Sequence, residues 1–107
     1  MEGNVMIKVV AVITAQPGRR EELLALFRAN MPNVHAEAGC IDYAPFVDAE
    51  GFGGFQAAIG PDAFVVLETW ESAEALKAHA AAPHMAAYGK ASKPLVAERK
   101  IHVFEPA

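Results

Sequence analysis

Cysteine is nearly missing from this chain: among 107 residues only Cys40 is present. It can close no intramolecular disulfide and build no thiolate metal cage, which fits a reducing compartment. Basic clusters are missing too. Nine lysines and arginines face thirteen acidic residues, a net charge of −4, and no basic run is longer than the pair Arg19-Arg20. A protein that tracks phosphates needs a positive stripe, so this balance argues against nucleic acid as a partner. Long apolar runs are absent as well. Val9-Val10-Ala11-Val12-Ile13 is too short and too β-branched for a membrane span, and Gln16-Pro17-Gly18 reads as a turn instead of a cleavage site. A cytoplasmic chain with no membrane span is expected. Gly51-Phe52-Gly53-Gly54 has no lysine after it and opens no helix, so it is a turn or lid and not a phosphate loop. His79 and His84 stand either side of Pro83 without an acidic partner at ligand spacing, so no metal site is expected. Ser72 and Ser92 lack a nucleophile elbow.

Apolar residues are abundant. They make up 53% of the chain, although a domain this short buries only roughly 60–70% of its unfolded surface. The length allows one domain over residues 1–107, with a core from about 5 to 106. The excess of apolar side chains points to surface hidden by self-association.

Punctuation by glycine and proline divides the chain. Residues 5–15 read as a β-branched first strand. A helix runs from Arg19 to about Asn30, with Leu23, Phe27 and Met31 on one stripe, and Pro32 ends or kinks it. Cys40 to Asp48 is a second strand with Ile41, Tyr43, Pro45 and Val47 on one face; Pro45 lacks an amide donor, which implies an edge or a bulge. Residues 49–61 are irregular. Phe64 to Trp70 is a third strand, Ser72 caps a helix through Ala82, Pro83 opens another that ends before Pro94, and Glu98 to Glu105 is the last strand. The order is β-α-β-β-α-β, the ferredoxin-like α+β arrangement. Its helices cover one sheet face only, yet the strands are apolar on both: Ile7, Val9, Ala11 and Ile13 oppose Met6, Val10 and Val12. A bare face of this kind is a large apolar patch, and a two-fold homodimer covers it most simply.

The same alternation turns Phe64, Val66, Glu68 and Trp70 to one side. His79 lies two turns along the following helix and can reach back toward them. It is either a pocket imidazole or a core histidine satisfied by Glu68 or a carbonyl. Tyr43 is either a ligand hydrogen-bonding group or an aromatic wall. Cys40 reads as a small buried hydrophobe, since no basic residue stands beside it.

Several segments carry a family resemblance. Glu37-Ala38-Gly39-Cys40-Ile41-Asp42-Tyr43 is similar to the E-x-G-C-x-x-Y segment of the antibiotic biosynthesis monooxygenase superfamily. Leu67-Glu68-Thr69-Trp70-Glu71-Ser72, Ala75-Leu76-Lys77-Ala78-His79 and Pro83-His84-Met85 resemble its later segments. The stretch Tyr43 to Asp48, with Phe55-Gln56 and Pro61-Asp62, resembles the bacterial quinol monooxygenase branch. The resemblance implies a dimeric α+β barrel. It further implies a cofactor-free oxygenase joining dioxygen to a small aromatic substrate such as a naphthohydroquinol. On that view His79 is the base, oriented by Glu68, and Tyr43 hydrogen-bonds a quinol oxygen. Trp70 and Phe46 form aromatic walls, and His84 and Met85 complete the substrate contacts. Haem-degrading relatives carry an asparagine and an axial histidine where this chain has Ala11 and Gly89. Two other readings stand beside the oxygenase: an isomerase of a small phosphorylated signalling molecule, and a non-enzymatic ligand-binding or stress-response module in which His79 is structural.

Overall fold

β-branched runs and glycine-proline breaks set the boundaries of the elements. The structure, a computed structural model, describes residues 5–107. In order they are β1 (Ile7–Ala15), α1 (Arg20–His35), β2 (Cys40–Phe46), β3 (Ala63–Trp70), α2 (Ala73–Ala80), α3 (Pro83–Ser92) and β4 (Val96–Phe104). The strands form one antiparallel sheet in the order β2-β3-β1-β4. This is the expected ferredoxin-like fold, with its second helical segment divided into α2 and α3. Among the described residues no helix is long and apolar enough to cross a membrane.

Three local readings are corrected. Helix α1 continues through Pro32 to His35. A proline forfeits one helical hydrogen bond and crowds the preceding turn, but Val34 beyond it is fully buried, and packing outweighs the local penalty. Helix α2 stops at Ala80 instead of Ala82. The residue before a proline is pushed out of the helical region, and Ala82 ahead of Pro83 is extended, with φ −65° and ψ 138°. Ile41 does not share a face with Tyr43. The β2–β3 register shifts between Cys40 and Asp42, so Ile41 is the extra residue of a bulge and is about half exposed while Tyr43 is buried. Pro45 lies on an edge strand, where its missing amide is tolerated.

Register fixes the sidedness of the sheet. Val9, Ala11 and Ile13 pair with Glu68, Val66 and Phe64, and partners across an antiparallel ladder share a face. That face meets Leu23, Leu24, Phe27 and Val34 of α1 in one buried cluster, each large side chain contributing about 1.5–3 kcal/mol on burial. The opposite face carries Val10 and Val12 of β1 beside Val65 and Leu67 of β3. Ala44 and Phe46 of β2 and Phe104 of β4 extend it. Leu67, Phe46 and Phe104 are 42%, 51% and 50% exposed. The two central strands are thus apolar on both sides over this patch, which Lys8, Thr69, Lys100 and His102 border on the helix-free face.

The link from α1 to β2 depends on Gly39. Its φ is +84°, and a Cβ there would lie 2.6 Å from that of Ala75. Only glycine combines that backbone with that approach. Its carbonyl accepts from the Glu71 amide at 2.9 Å, which closes the turn against the end of β3. The long β2–β3 connection is pinned by Asp48, whose carboxylate accepts from the amides of Ile59 at 3.0 Å and Gly60 at 2.9 Å. These bonds hold the Asp48 carboxyl below the usual carboxylate range.

Candidate active site

A cavity of about 390 Å³ opens between the helix-covered sheet face and helices α2 and α3. Ala11, Ile13 and Val66 form its floor, Phe27, Leu76, Ala80, Met85 and Ala86 its walls, and Ile101 and Val103 of β4 its open side. Into this apolar space come five polar side chains: Tyr43, Glu68, His79, Tyr88 and Arg99. A few convergent polar groups in an apolar pocket of this size characterise small-molecule sites.

Each group is placed by its element. Tyr43 sits opposite Glu68 in the β2–β3 ladder, and its ring stacks on Phe27 with centroids 5.1 Å apart. Burial, reinforced by the Glu68 charge, raises the Tyr43 hydroxyl far above its ordinary value. It stays protonated at neutral pH, so it can donate a hydrogen bond there and cannot act as a base. Burial likewise raises Glu68 above the ordinary carboxylate range, opposed by the hydrogen bond from Trp70 and the nearby His79. Trp70 Nε1 donates to Glu68 Oε1 at 2.9 Å. His79 rides on α2, whose start is capped by Ser72 Oγ accepting from the Ala75 amide at 3.1 Å. Its ring is buried, 4.7 Å from the Trp70 ring and 5.5 Å from that of Tyr43.

The structure brings Tyr43, Glu68, His79 and Met85 to one cavity, and it places the other candidates elsewhere. Glu68 does not orient His79: its hydrogen bond goes to Trp70, and His79 Nδ1 instead lies 2.8 Å from Glu37 Oε2. Trp70 is fully buried behind His79 and is not part of the cavity wall. Phe46 faces the helix-free side of the sheet, because it pairs with Val65 and not with a core residue. There it borders a second concavity of about 700 Å³, with Val10, Ala44 and Leu67 among its lining. His84 stands outside the cavity lining, and both its ring nitrogens are engaged, with Glu37 at 3.1 Å and Asn30 at 3.2 Å. Cys40 is half-buried at the start of β2, and burial raises its thiol above the ordinary value, as for an inert cysteine.

Glu37, Tyr88 and Arg99 are the site residues that sequence reasoning missed. Glu37 lay within a quoted motif, but nothing local marks it as the neighbour of a histidine 42 positions later. Arg99 is exposed on β4 and has no ion-pair partner among the described residues. Strand alternation could have found it, since it pairs with Ile13 on the cavity side. Among the described residues no group of three or more His, Cys, Asp and Glu side chains is arranged to hold a metal ion.

Comparison with known proteins agrees with this architecture. Residues 6–91 match the family described as antibiotic biosynthesis monooxygenase. The chain is 41% identical over 103 residues to "Probable quinol monooxygenase YgiN" of Escherichia coli, covering 94% of this chain and 98% of that one. Among solved structures it is similar to PA3566 from Pseudomonas aeruginosa, with TM-score 0.80 and 25% identity over 100% of this chain and 99% of the other. It is also similar to Rv0793 from Mycobacterium tuberculosis, with TM-score 0.77 and 26% identity over 95% of each. The fold, the ordered motifs and the extent of these matches make the chain a member of the antibiotic biosynthesis monooxygenase family.

Proposed function

We propose that this protein is a quinol monooxygenase that acts on small aromatic hydroquinols without a resident cofactor, working as a homodimer. The observation that carries the reading is the meeting of His79, Tyr43 and Glu68 in one apolar cavity. The 41% identity to a protein named as a quinol monooxygenase supports it. His79 Nε2 has no protein partner among the described residues, whereas Nδ1 is taken, so Nε2 is the nitrogen free to accept a hydroquinol proton. The protonated Tyr43 hydroxyl donates to a quinol oxygen. Glu68, with its raised affinity for a proton, can share or return one at the far side of the ring. The resulting hydroquinolate is electron-rich enough to pass an electron to dioxygen. Recombination at the ring forms the new C–O bond; one oxygen atom stays in the hydroxylated quinone and the other leaves as water. The protein contributes a dry, shaped space, orientation and a base.

The decisive experiment measures oxygen uptake with reduced menadione and related benzo- and naphthohydroquinols. Heat-denatured protein and an unrelated protein at equal mass supply the autoxidation background. Uptake above that background with a hydroxylated quinone as product is expected. Native protein that binds the quinone but adds nothing to the background would replace the oxygenase with a ligand-binding module.

A second reading rests on Arg99. A guanidinium at the mouth of an apolar cavity is a phosphate-recognition element, and it favours isomerisation of a small phosphorylated molecule. If that reading holds, inorganic phosphate should compete with ligand, and Arg99→Leu should abolish the competition.

A further inference from the structure

Behind His79 the polar side chains form a chain of defined polarity. Asn33 Nδ2 donates to Asn30 Oδ1 at 2.9 Å, so the amide nitrogen of Asn30 is the atom turned to His84 Nδ1, 3.2 Å away. An amide nitrogen only donates, so His84 Nδ1 must accept and its proton resides on Nε2. That Nε2–H points at Glu37 Oε2 at 3.1 Å, the oxygen that His79 Nδ1 approaches at 2.8 Å. An ionised carboxylate only accepts, so His79 carries its proton on Nδ1 and presents a lone pair at Nε2. The Glu37 side chain is only 16% exposed, and both histidines hydrogen-bond its Oε2.

We propose that Glu37 is the positioning residue of the site. It holds His79 in the Nδ1–H tautomer with Nε2 as proton acceptor, and its charge stabilises the imidazolium formed when His79 takes a proton. His84 and Asn30 fix Glu37 in turn. The catalytic part rests on the reading of His79 as base; the tautomer does not. The other titratable groups around the His79 ring are Tyr43 of β2, Glu68 of β3 and His84 of α3. None of them hydrogen-bonds Nδ1, so the tautomer is assigned to Glu37 alone.

Nitrogen-15 NMR of histidine-labelled full-length protein reads the proton position at His79 directly, and steady-state oxygen uptake with menadiol reads its consequence. Native protein should show Nδ1–H and a bare Nε2. In Glu37→Ala the Nε2–H form should appear, with kcat lower by roughly 10- to 100-fold and KM nearly unchanged, the signature of an interaction made only in the transition state. Glu37→Gln keeps an acceptor oxygen without the charge. It should retain Nδ1–H and show a kcat between native and Ala, and it decides the matter if the alanine variant does not fold. The proposal is overturned if native His79 carries its proton on Nε2, if Glu37→Ala leaves tautomer or kcat unchanged, or if Glu37→Gln turns over like native protein. If native protein turns over no hydroquinol, the oxygenase reading fails by itself, and the NMR comparison still decides whether Glu37 sets the His79 proton.

Discussion

At the scale of single residues, His79 and Glu68 illustrate two ways in which a buried ionisable group is accommodated. His79 is paired with Glu37 through Nδ1, and its Nε2 has no protein partner among the described residues. Replacing it with alanine should lower the chemical step by roughly 10²-fold or more while ligand binding stays nearly intact, as measured by single-turnover oxygen uptake beside quinone titration. Glu68 has a tryptophan N–H and, among the described residues, no cation in contact, and burial disfavours its charge. A carboxyl raised in the folded state stabilises the fold fully below the ordinary carboxylate range, and that contribution is lost as pH rises through its folded value. Glu68→Gln removes the penalty and leaves an acceptor for Trp70. Its melting temperature should therefore match native protein near pH 4 and exceed it increasingly toward neutrality. A variant less stable than native protein at pH 7 would show that the Glu68 charge is favourably paired.

Among the elements, α2 matters most, because it alone carries His79. The helix spans only Ala73–Ala80, and a helix this short is not stable without tertiary support. Its Ser72 cap supplies a bond that no other side chain replaces. Ser72→Ala should cost about 1 kcal/mol, read from the midpoint of a urea titration. Activity should fall further than stability if fraying at the start of α2 loosens His79. Helix α1 shows the opposite balance. It runs through Pro32 because Leu23, Leu24, Phe27 and Val34 are anchored in the core, and His35 in its last turn donates to the Tyr43 carbonyl at 2.8 Å. The same strand pairing that places Tyr43 in the cavity thus ties down the end of α1.

For the whole molecule, the helix-free sheet face is the dominant feature. Val10, Val12, Val65, Leu67, Ala44 and Phe46 form an apolar surface with no helix over it, and such surfaces seldom remain exposed on soluble monomers. A hydrodynamic mass of twice 11.4 kDa is expected at micromolar concentration. Val12→Lys should shift the protein toward monomer or destabilise it, because an ammonium buried there without a partner costs several kcal/mol. A native monomer at that concentration, folded and soluble, would remove the homodimer from the proposal. Phe46 belongs to this surface and not to the His79 cavity, so Phe46→Ala should weaken association more than turnover.

Strand alternation and glycine-proline breaks were enough to read the four strands, the helix order and the two-faced sheet, because those patterns depend on neighbours a few positions apart. Tyr43, Glu68 and His79 were legible for the same reason: each lies on the inward phase of its own element. The partnerships of these residues were not legible. A shared inward face suggests Glu68 as the partner of His79. Glu68 instead accepts from Trp70, two positions along on the same face of its own strand, and Glu37, just ahead of the turn at Gly39, meets His79. The family resemblance implies Phe46 as a cavity wall, while its register with Val65 turns it to the other face. Periodicity says which side of an element a residue occupies. Which atom it meets there depends on bulges, turn geometry and close approach between elements distant in sequence, and those are settled only when the chain packs.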